Sequence, residues 1–274
     1  MGGTALSIAV GFVSGLLSGA FGIGGGLVTT PAIRLVLGYP ALVAVGTPLP
    51  VILPGAITGA LSYRRRGLAD LSAGLLIGAA GAATSIAGAL ASAHLGGTAV
   101  LLATAALILW AAVDLTLQAR DAAARQPDPG AAEADPALDL AAEPAAPAPA
   151  RPWARLVVIG LVAGAYSGFF GLGGGFVVVP ALTRFCSFTM KRAIGTSLVA
   201  IAVLAVPGTI AHAALGHVDW TLAALLAVGV VPGAWIGARL TSRTSDAAIR
   251  VAFAGFLCLI GVWLAISEVA GLAR

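Results

Sequence analysis

Between Ser18 and Pro31 an apolar stretch is interrupted by the run SGAFGIGGGLVTTP, and between Ser167 and Pro180 by SGFFGLGGGFVVVP. Glycine costs about 1 kcal/mol in a helix interior and proline about 3 kcal/mol. Three consecutive glycines followed by a proline therefore interrupt any helix that carries them, and this chain does so at two matching places. The copies lie 149 residues apart. At the same offset Gly11 matches Gly160, Ser18 matches Ser167, and Gly24, Gly25 and Gly26 match Gly173, Gly174 and Gly175. Further along, Gly46-Thr47 matches Gly195-Thr196, Gly59 matches Gly208, Asp70 matches Asp219, and Gly88-Ala89 matches Gly237-Ala238. Glycines kept where they reduce stability point to a repeat with a binding site at its interface, as in membrane transporters. A duplication that only builds a helical bundle is the alternative.

Composition places that repeat in a bilayer. Of 274 residues, 59% are hydrophobic and 9% charged, against about 25% charged in soluble domains. Mean hydropathy is +1.02. Apolar stretches near the 20 residues that cross a hydrocarbon core recur along the chain. They run over 4–20, 27–38, 41–62, 68–93 and 98–117, then 153–170, 176–185, 193–215, 220–240 and 247–268. The chain thus reads as a first membrane repeat (1–117), a linker (118–152) and a second membrane repeat (153–274). The linker is rich in Ala and Pro and carries Asp121, Asp128, Glu133, Asp135, Asp139 and Glu143, a composition that predicts disorder. The N-terminus lacks the basic region of a signal peptide and reads as a retained helix. Cys186 and Cys258 have no metal or disulfide spacing. The pI near 9.7 follows from basic cytoplasmic loops, so no nucleic acid is expected.

Basic residues choose the topology. If every segment crosses once, seven Lys and Arg fall on one side and eight on the other, no bias at all. If the two segments flanking each glycine run enter and leave on the same side, each repeat has three further crossings and the second is inverted. Arg64, Arg65, Arg66, Arg120, Arg125, Arg151, Arg155, Arg184, Lys191, Arg192, Arg239, Arg243 and Arg250 then share one face, opposite Arg34 and Arg274. Thirteen against two satisfies the positive-inside rule. The expected fold is an all-α polytopic membrane protein of two inverted repeats. Each is a Gly-rich broken-helix hairpin plus three transmembrane helices, with both termini outside and the linker cytoplasmic.

A helix broken at membrane depth leaves backbone polar groups that must be buried in protein or line a cavity. The helices beginning after Gly26 and Gly175 present free N–H groups and the positive end of a dipole, which suit an anion. Gly24, Gly25, Gly26, Gly173, Gly174 and Gly175 let it approach the backbone, and Ser18 and Ser167 add hydroxyls. Close helix packing is the other reading of the glycines. A second break is expected at Gly46-Thr47-Pro48 and at Gly195-Thr196-Ser197. There the hydroxyls of Thr47, Thr196 and Ser197 either face the same cavity or re-satisfy backbone groups freed by a kink. Asp70 and Asp219 read as helix caps, and His94 and His217 as interfacial. His212 lies deeper, with a proton relay and a structural role both open. No metal site, cofactor or hydrolase cluster is expected.

With these residues in view, the chain resembles the sulfite exporter TauE/SafE family of membrane permeases. The likeness rests on Ser-Gly-x-x-Gly-x-Gly-Gly-Gly-x-x-x-x-Pro in both halves, on Ala193-x-Gly195-Thr196-Ser197-Leu198, and on Pro232-Gly233-Ala234-x-x-Gly237-Ala238. It covers nearly all of the chain apart from the linker. The first half departs at Pro48, where the second has Ser197. The resemblance implies movement of small anions, among them sulfite, sulfonates such as sulfoacetate, and other organic acids. The expectation is a secondary transporter, not an enzyme, that exports such an anion across the plasma membrane by rocking of the two repeats. Expected partners are the anion, a coupling proton or Na⁺, the lipid bilayer and a second copy of the chain in a homodimer. The alternatives are an uncoupled anion channel and a non-transporting membrane scaffold or sensor.

Overall fold

A computed structural model describes residues 2–95, 97–124, 153–241 and 244–272. The first half runs α1 (Gly2–Phe21), α2 (Gly26–Pro31) with a π-helical continuation (Ala32–Val36), α3 (Ala41–Gly46), α4 (Pro48–Arg64), α5 (Leu71–Leu95) and α6 (Gly97–Ala124). The second runs α7 (Trp153–Phe170), α8 (Gly175–Phe185), α9 (Met190–Ala214), α10 (Trp220–Thr241) and α11 (Asp246–Leu272). The described residues contain no strand. Among the described residues, seven spans are long and apolar enough to cross a membrane, α3 and α4 counting together as one. Helix α6 continues past Leu117 to Ala124, so the first residues assigned to the linker are helical. Residues 125–152 lie outside those described.

The packing is that of a membrane protein. Helix α5 buries Gly74, Gly78, Gly81, Ser85, Gly88 and Ala89 and turns Leu75, Ile86 and Leu90 outward. Water gives no reason to hide leucine where the solvent is lipid, so small residues line the interfaces and let backbones approach.

Those interfaces are exchanged between the halves. On α1, Gly11, Gly15 and Gly19 sit against the backbone of Leu226, Val230 and Ala234 on α10, which runs parallel. On α7, Gly160, Gly164 and Gly168 sit against Ile77, Gly81 and Ser85 on α5. Each residue of the second set is the 149-residue counterpart of one in the first. At the centre, Gly59 of α4 meets Leu198 of α9, and Gly208 of α9 meets Leu49 of α4, so these helices run antiparallel. One-for-one exchange of this kind is what a twofold rotation relating the halves produces.

The expected second break forms in the first half only. Helix α3 ends at Gly46 and α4 begins at Pro48, whereas α9 is continuous through Gly195, Thr196 and Ser197. The reason is local. Pro48 has no N–H to give the helix ladder, whereas Ser197 keeps its own, and its hydroxyl donates back to the Ile194 carbonyl at 2.8 Å.

Asp70 and Asp219 cap helices as expected, accepting from the N–H of Ala73 at 3.1 Å and of Leu222 at 2.9 Å. Their own N–H groups cross to the other half. Asp70 donates to Thr196 Oγ1 at 3.0 Å, and Asp219 donates to Thr47 Oγ1 at 3.1 Å. Arg192 adds an ion pair to Asp70 at 3.0 Å. Replacing Thr196 by Val leaves a buried N–H without its acceptor, at a cost of about 1–3 kcal/mol. Thr196→Val and Thr47→Val are each expected to lower the thermal unfolding midpoint in detergent, and Ser at either position to restore it.

Candidate functional site

Each glycine run turns the chain by backbone sign. Gly22, Gly24 and Gly25 have φ of 70°, 78° and 83°, and Gly171, Gly173 and Gly174 have φ of 67°, 79° and 76°. A residue with a Cβ loses roughly 1–2 kcal/mol at each such position. These glycines therefore make turns, while those on α1, α5, α7 and α10 do the close packing. The chain reverses and starts a new helix at once. Val28 and Thr29 donate to the Gly25 carbonyl at 3.0 Å each, and Val177 and Val178 to Gly174 at 3.1 Å each. By helix geometry, the N–H groups of Gly26 and Leu27, and of Gly175 and Phe176, have no acceptor within their own helices.

The two apices touch. A methyl group at Gly26 would lie 2.8 Å from the Gly171 carbonyl oxygen and 2.8 Å from Leu172 Cα, and one at Gly175 would lie 2.8 Å from Ile23 Cα. Ile52 of α4 and Ile201 of α9 close over both. A methyl at Gly24 would meet Ile201 at 2.9 Å and Ile52 at 3.1 Å, and one at Gly173 would meet the same two at 3.2 and 3.1 Å. Ile23, Ile52, Leu172 and Ile201 are all buried. The centre is thus a packed contact. Sequence reasoning did not single out Ile52 and Ile201, although their 149-residue spacing within the repeat was there to be read.

The hydroxyls divide into two groups. Those of Ser18 and Ser167 are fully buried and make no hydrogen bond. Ser167 accepts from the Gly171 N–H through its carbonyl and Ser18 from Gly22, so each serine sits one turn before its apex. Ser18 Cβ lies 3.5 Å from the position a Cβ would take at Gly25. Ser14, one turn earlier and not singled out from the sequence, is another buried hydroxyl without a partner, as are Thr30 of α2 and Thr209 of α9. The counterpart of Ser14 is Ala163, so the first apex is the more polar. Buried polar atoms without partners are few in native proteins, and each asks for an explanation.

Thr47, Thr196 and Ser197 are engaged elsewhere. The two threonines hold the starts of α10 and α5. Ser197 shares its one hydroxyl hydrogen between the Ile194 and Gly22 carbonyls, each 2.8 Å away, and so braces the first apex. Of the hydroxyls singled out from the sequence, the structure brings Ser18, Ser167 and Ser197 to the glycine hairpins and places Thr47 and Thr196 at helix starts.

One more tie reaches each hairpin. Tyr63 donates its hydroxyl to the Gly19 carbonyl at 3.1 Å. His212, fully buried, sets Nε2 at 2.7 Å from the Gly168 carbonyl and Nδ1 at 3.3 Å from His217 Nδ1.

Residues 7–264 match the family model described as "Sulfite exporter TauE/SafE". The chain is 26% identical to "Probable membrane transporter protein YdhB" of Bacillus subtilis, over 90% of this chain and 94% of that protein. It is 23% identical to a "Probable membrane transporter protein" of Methanocaldococcus jannaschii, over 94% of both. A local match to "Probable membrane transporter protein YunE" of Bacillus subtilis reaches 39% identity over 31% of this chain, and spans only 29% of that relative. A "Probable membrane transporter protein" of Xylella fastidiosa is matched over 33% of its length. No solved structure matches the chain.

Proposed function

The chain belongs to the sulfite exporter TauE/SafE family of membrane transporters, and on that premise we propose that it is a secondary carrier of small organic or sulfur-containing anions, working as an exporter. The anion is held at the two glycine apices, in contact here and parted when the halves rock, by the N–H groups that open α2 and α8 and by the hydroxyls of Ser18 and Ser167. One observation carries this reading: two buried hydroxyls without partners, in equivalent places, each one turn before a helix-opening glycine run. The repeats are inverted in the membrane, with both termini outside. The antiparallel run of α4 and α9 supports this, because a twofold axis between antiparallel spans lies in the membrane plane. Transport proceeds by rocking of the halves about that axis. The apolar seal of Ile52 and Ile201 across the apices favours a carrier that opens to one side at a time over an uncoupled pore.

No Lys or Arg belongs to the apices, so partial charges alone hold the ligand. A helix end contributes up to about 2 kcal/mol when partly buried, and a hydrogen bond to a charged group about 1.5–3 kcal/mol. Two helix ends and several such bonds offset the several kcal/mol of burying one charge but not two. Monoanions are preferred, and dianions travel with a cation.

The serines give the test. Removing a partnerless buried hydroxyl relieves a cost of about 1–3 kcal/mol. Ser18→Ala and Ser167→Ala are therefore expected to raise the unfolding midpoint while raising KM for sulfite or methanesulfonate flux in proteoliposomes. Unchanged KM in the more stable double variant would remove the hydroxyls from the site.

A further inference from the structure

The two halves differ chemically at one pair of equivalent ties. Tyr63 and His212 are counterparts, and each bonds the carbonyl three residues before a glycine apex, Gly19 for one and Gly168 for the other. Beyond Tyr63 the counterpart of His217 is Leu68. The second half has thus two imidazoles in contact where the first has a phenol and an aliphatic side chain.

The bonding fixes where hydrogens sit. A carbonyl only accepts, so the 2.7 Å contact to Gly168 makes Nε2 of His212 an N–H. Neutral His212 then offers a lone pair at Nδ1, and His217 donates its Nδ1–H across the 3.3 Å gap. A proton added at Nε2 of His217 lets the shared hydrogen cross. His212 then carries both N–H groups and the positive charge, and His217 is neutral with its hydrogen on Nε2. One proton enters, one N–H bond forms at each ring, and one breaks at His217 Nδ1.

We propose that the His212–His217 pair is the proton site of the carrier, taking up one proton in the turn between α9 and α10 and holding it beside the Gly168 carbonyl at the entry to the second hairpin. This rests on the anion-carrier reading and names its coupling ion. A charged His212 binds the carbonyl by a charge-assisted bond, stronger than the neutral one, so protonation tightens α9 onto the hairpin that must move. Gly171 in that hairpin packs on the Val45 carbonyl, and His217 packs on the adjoining Gly46, so one short helix feels both. In the inverted arrangement the α9–α10 turn faces outside.

The other charged groups on the elements around the pair leave it to act alone. Asp219, in the same turn, caps Leu222. On α9 itself Lys191 and Arg192 lie at the opposite end, where Asp246 of α11 accepts from the Met190 N–H. Helix α8 carries Arg184 in its last turn, and α10 carries Arg239 at its far end, over Trp235. Helix α5 carries only His94, exposed at its end. Helix α7 carries Arg155, bonded to the Phe185 carbonyl, and Tyr166, stacked on Phe170. Helix α3 carries none, and α4 only Tyr63 and Arg64, at its end. Burial pushes the His217 imidazole below its ordinary value.

The test transplants the first half's residues onto the second. Methanesulfonate stays singly charged over the range, so any pH dependence of its flux belongs to the protein. In proteoliposomes with a trapped pH dye, the wild type is expected to move protons during anion flux and to change flux several-fold between about pH 5 and about pH 7, a window that reaches below the ordinary histidine value as burial requires. His212→Tyr with His217→Leu is expected to lose both the dye signal and the pH dependence from whatever flux remains, and His217→Leu alone, which keeps His212, to shift the pH dependence away from the wild-type profile. Wild-type flux without proton movement, or variants with the wild-type profile, would overturn the proton site and leave the carrier standing. If the wild type carries no methanesulfonate, the carrier reading fails, and unfolding still tests the pair. With its folded-state value depressed, His217 takes up protons more readily when unfolded, so wild-type stability falls as pH drops below about 6.5. The variants should fall less, and superimposable curves would overturn the proposal.

Discussion

Aspartate at Gly25 is expected to stop anion transport in a protein that still folds, while asparagine at the same position leaves it working. Gly25 has φ of 83°, a conformation that Asn and Asp adopt more readily than other side chains. A Cβ there would find Ser14 O at 3.2 Å and Ser18 Cβ at 3.5 Å, so a shift of a few tenths of an ångström admits it. The two variants share that strain and differ by one charge. An Asp carboxylate would sit at the opening of α2 and take the N–H groups meant for the ligand. It would also repel the ligand by about 4 kcal/mol at 4 Å and an effective dielectric of 20, about a thousandfold. Initial rates of sulfite or methanesulfonate flux, with both variants monodisperse in detergent, measure the difference. Equal rates would place the anion elsewhere.

Valine at Gly168 is expected to cost the fold itself. A Cβ there would overlap the Ser85 carbonyl oxygen, and would lie 2.7 Å from Ser85 C and 2.9 Å from the Ala89 nitrogen. All three are backbone atoms of α5 and none can rotate away. The helices would have to part along the seam that Gly160 and Gly164 also build. Overpacking a fitted interface costs about 1–3 kcal/mol, and more where nothing yields. The yield of monodisperse protein and its unfolding midpoint should both collapse. Gly255→Ala on α11 is the control. Nothing lies within 4 Å of its added methyl, and alanine is the better helix former by about 1 kcal/mol, so that variant should be as stable as the wild type or more so.

These two glycines look alike in the sequence and do different work. The repeat, the apolar spans and the two breaks were legible there because each depends on local properties. Hydropathy fixes the solvent, glycine and proline fix where a helix fails, and Asp70 and Asp219 precede their helices as caps do. The break expected at Gly195-Thr196-Ser197 did not form because the motif, unlike its first-half copy, lacks the proline that removes a donor.

The proposed anion cradle was legible only in part. Thr47, Thr196 and Ser197 look like Ser18 and Ser167 as residue types, yet their hydroxyls meet Asp219, Asp70 and Gly22 from the opposite half. Ile52 and Ile201 are ordinary span residues until two apices meet beneath them. His212 was open between two roles until Gly168 and His217 came within hydrogen-bond distance of its two nitrogens. By itself the sequence determined the solvent, the segments, the repeat and the places where helices stop, since those follow from side-chain polarity and backbone freedom within a few residues. Only the tertiary structure decided which glycines turn and which pack, and which hydroxyls stay without partners. A hydrogen bond or a close backbone approach is set by whatever group the fold brings alongside, and here that group is often more than a hundred residues away.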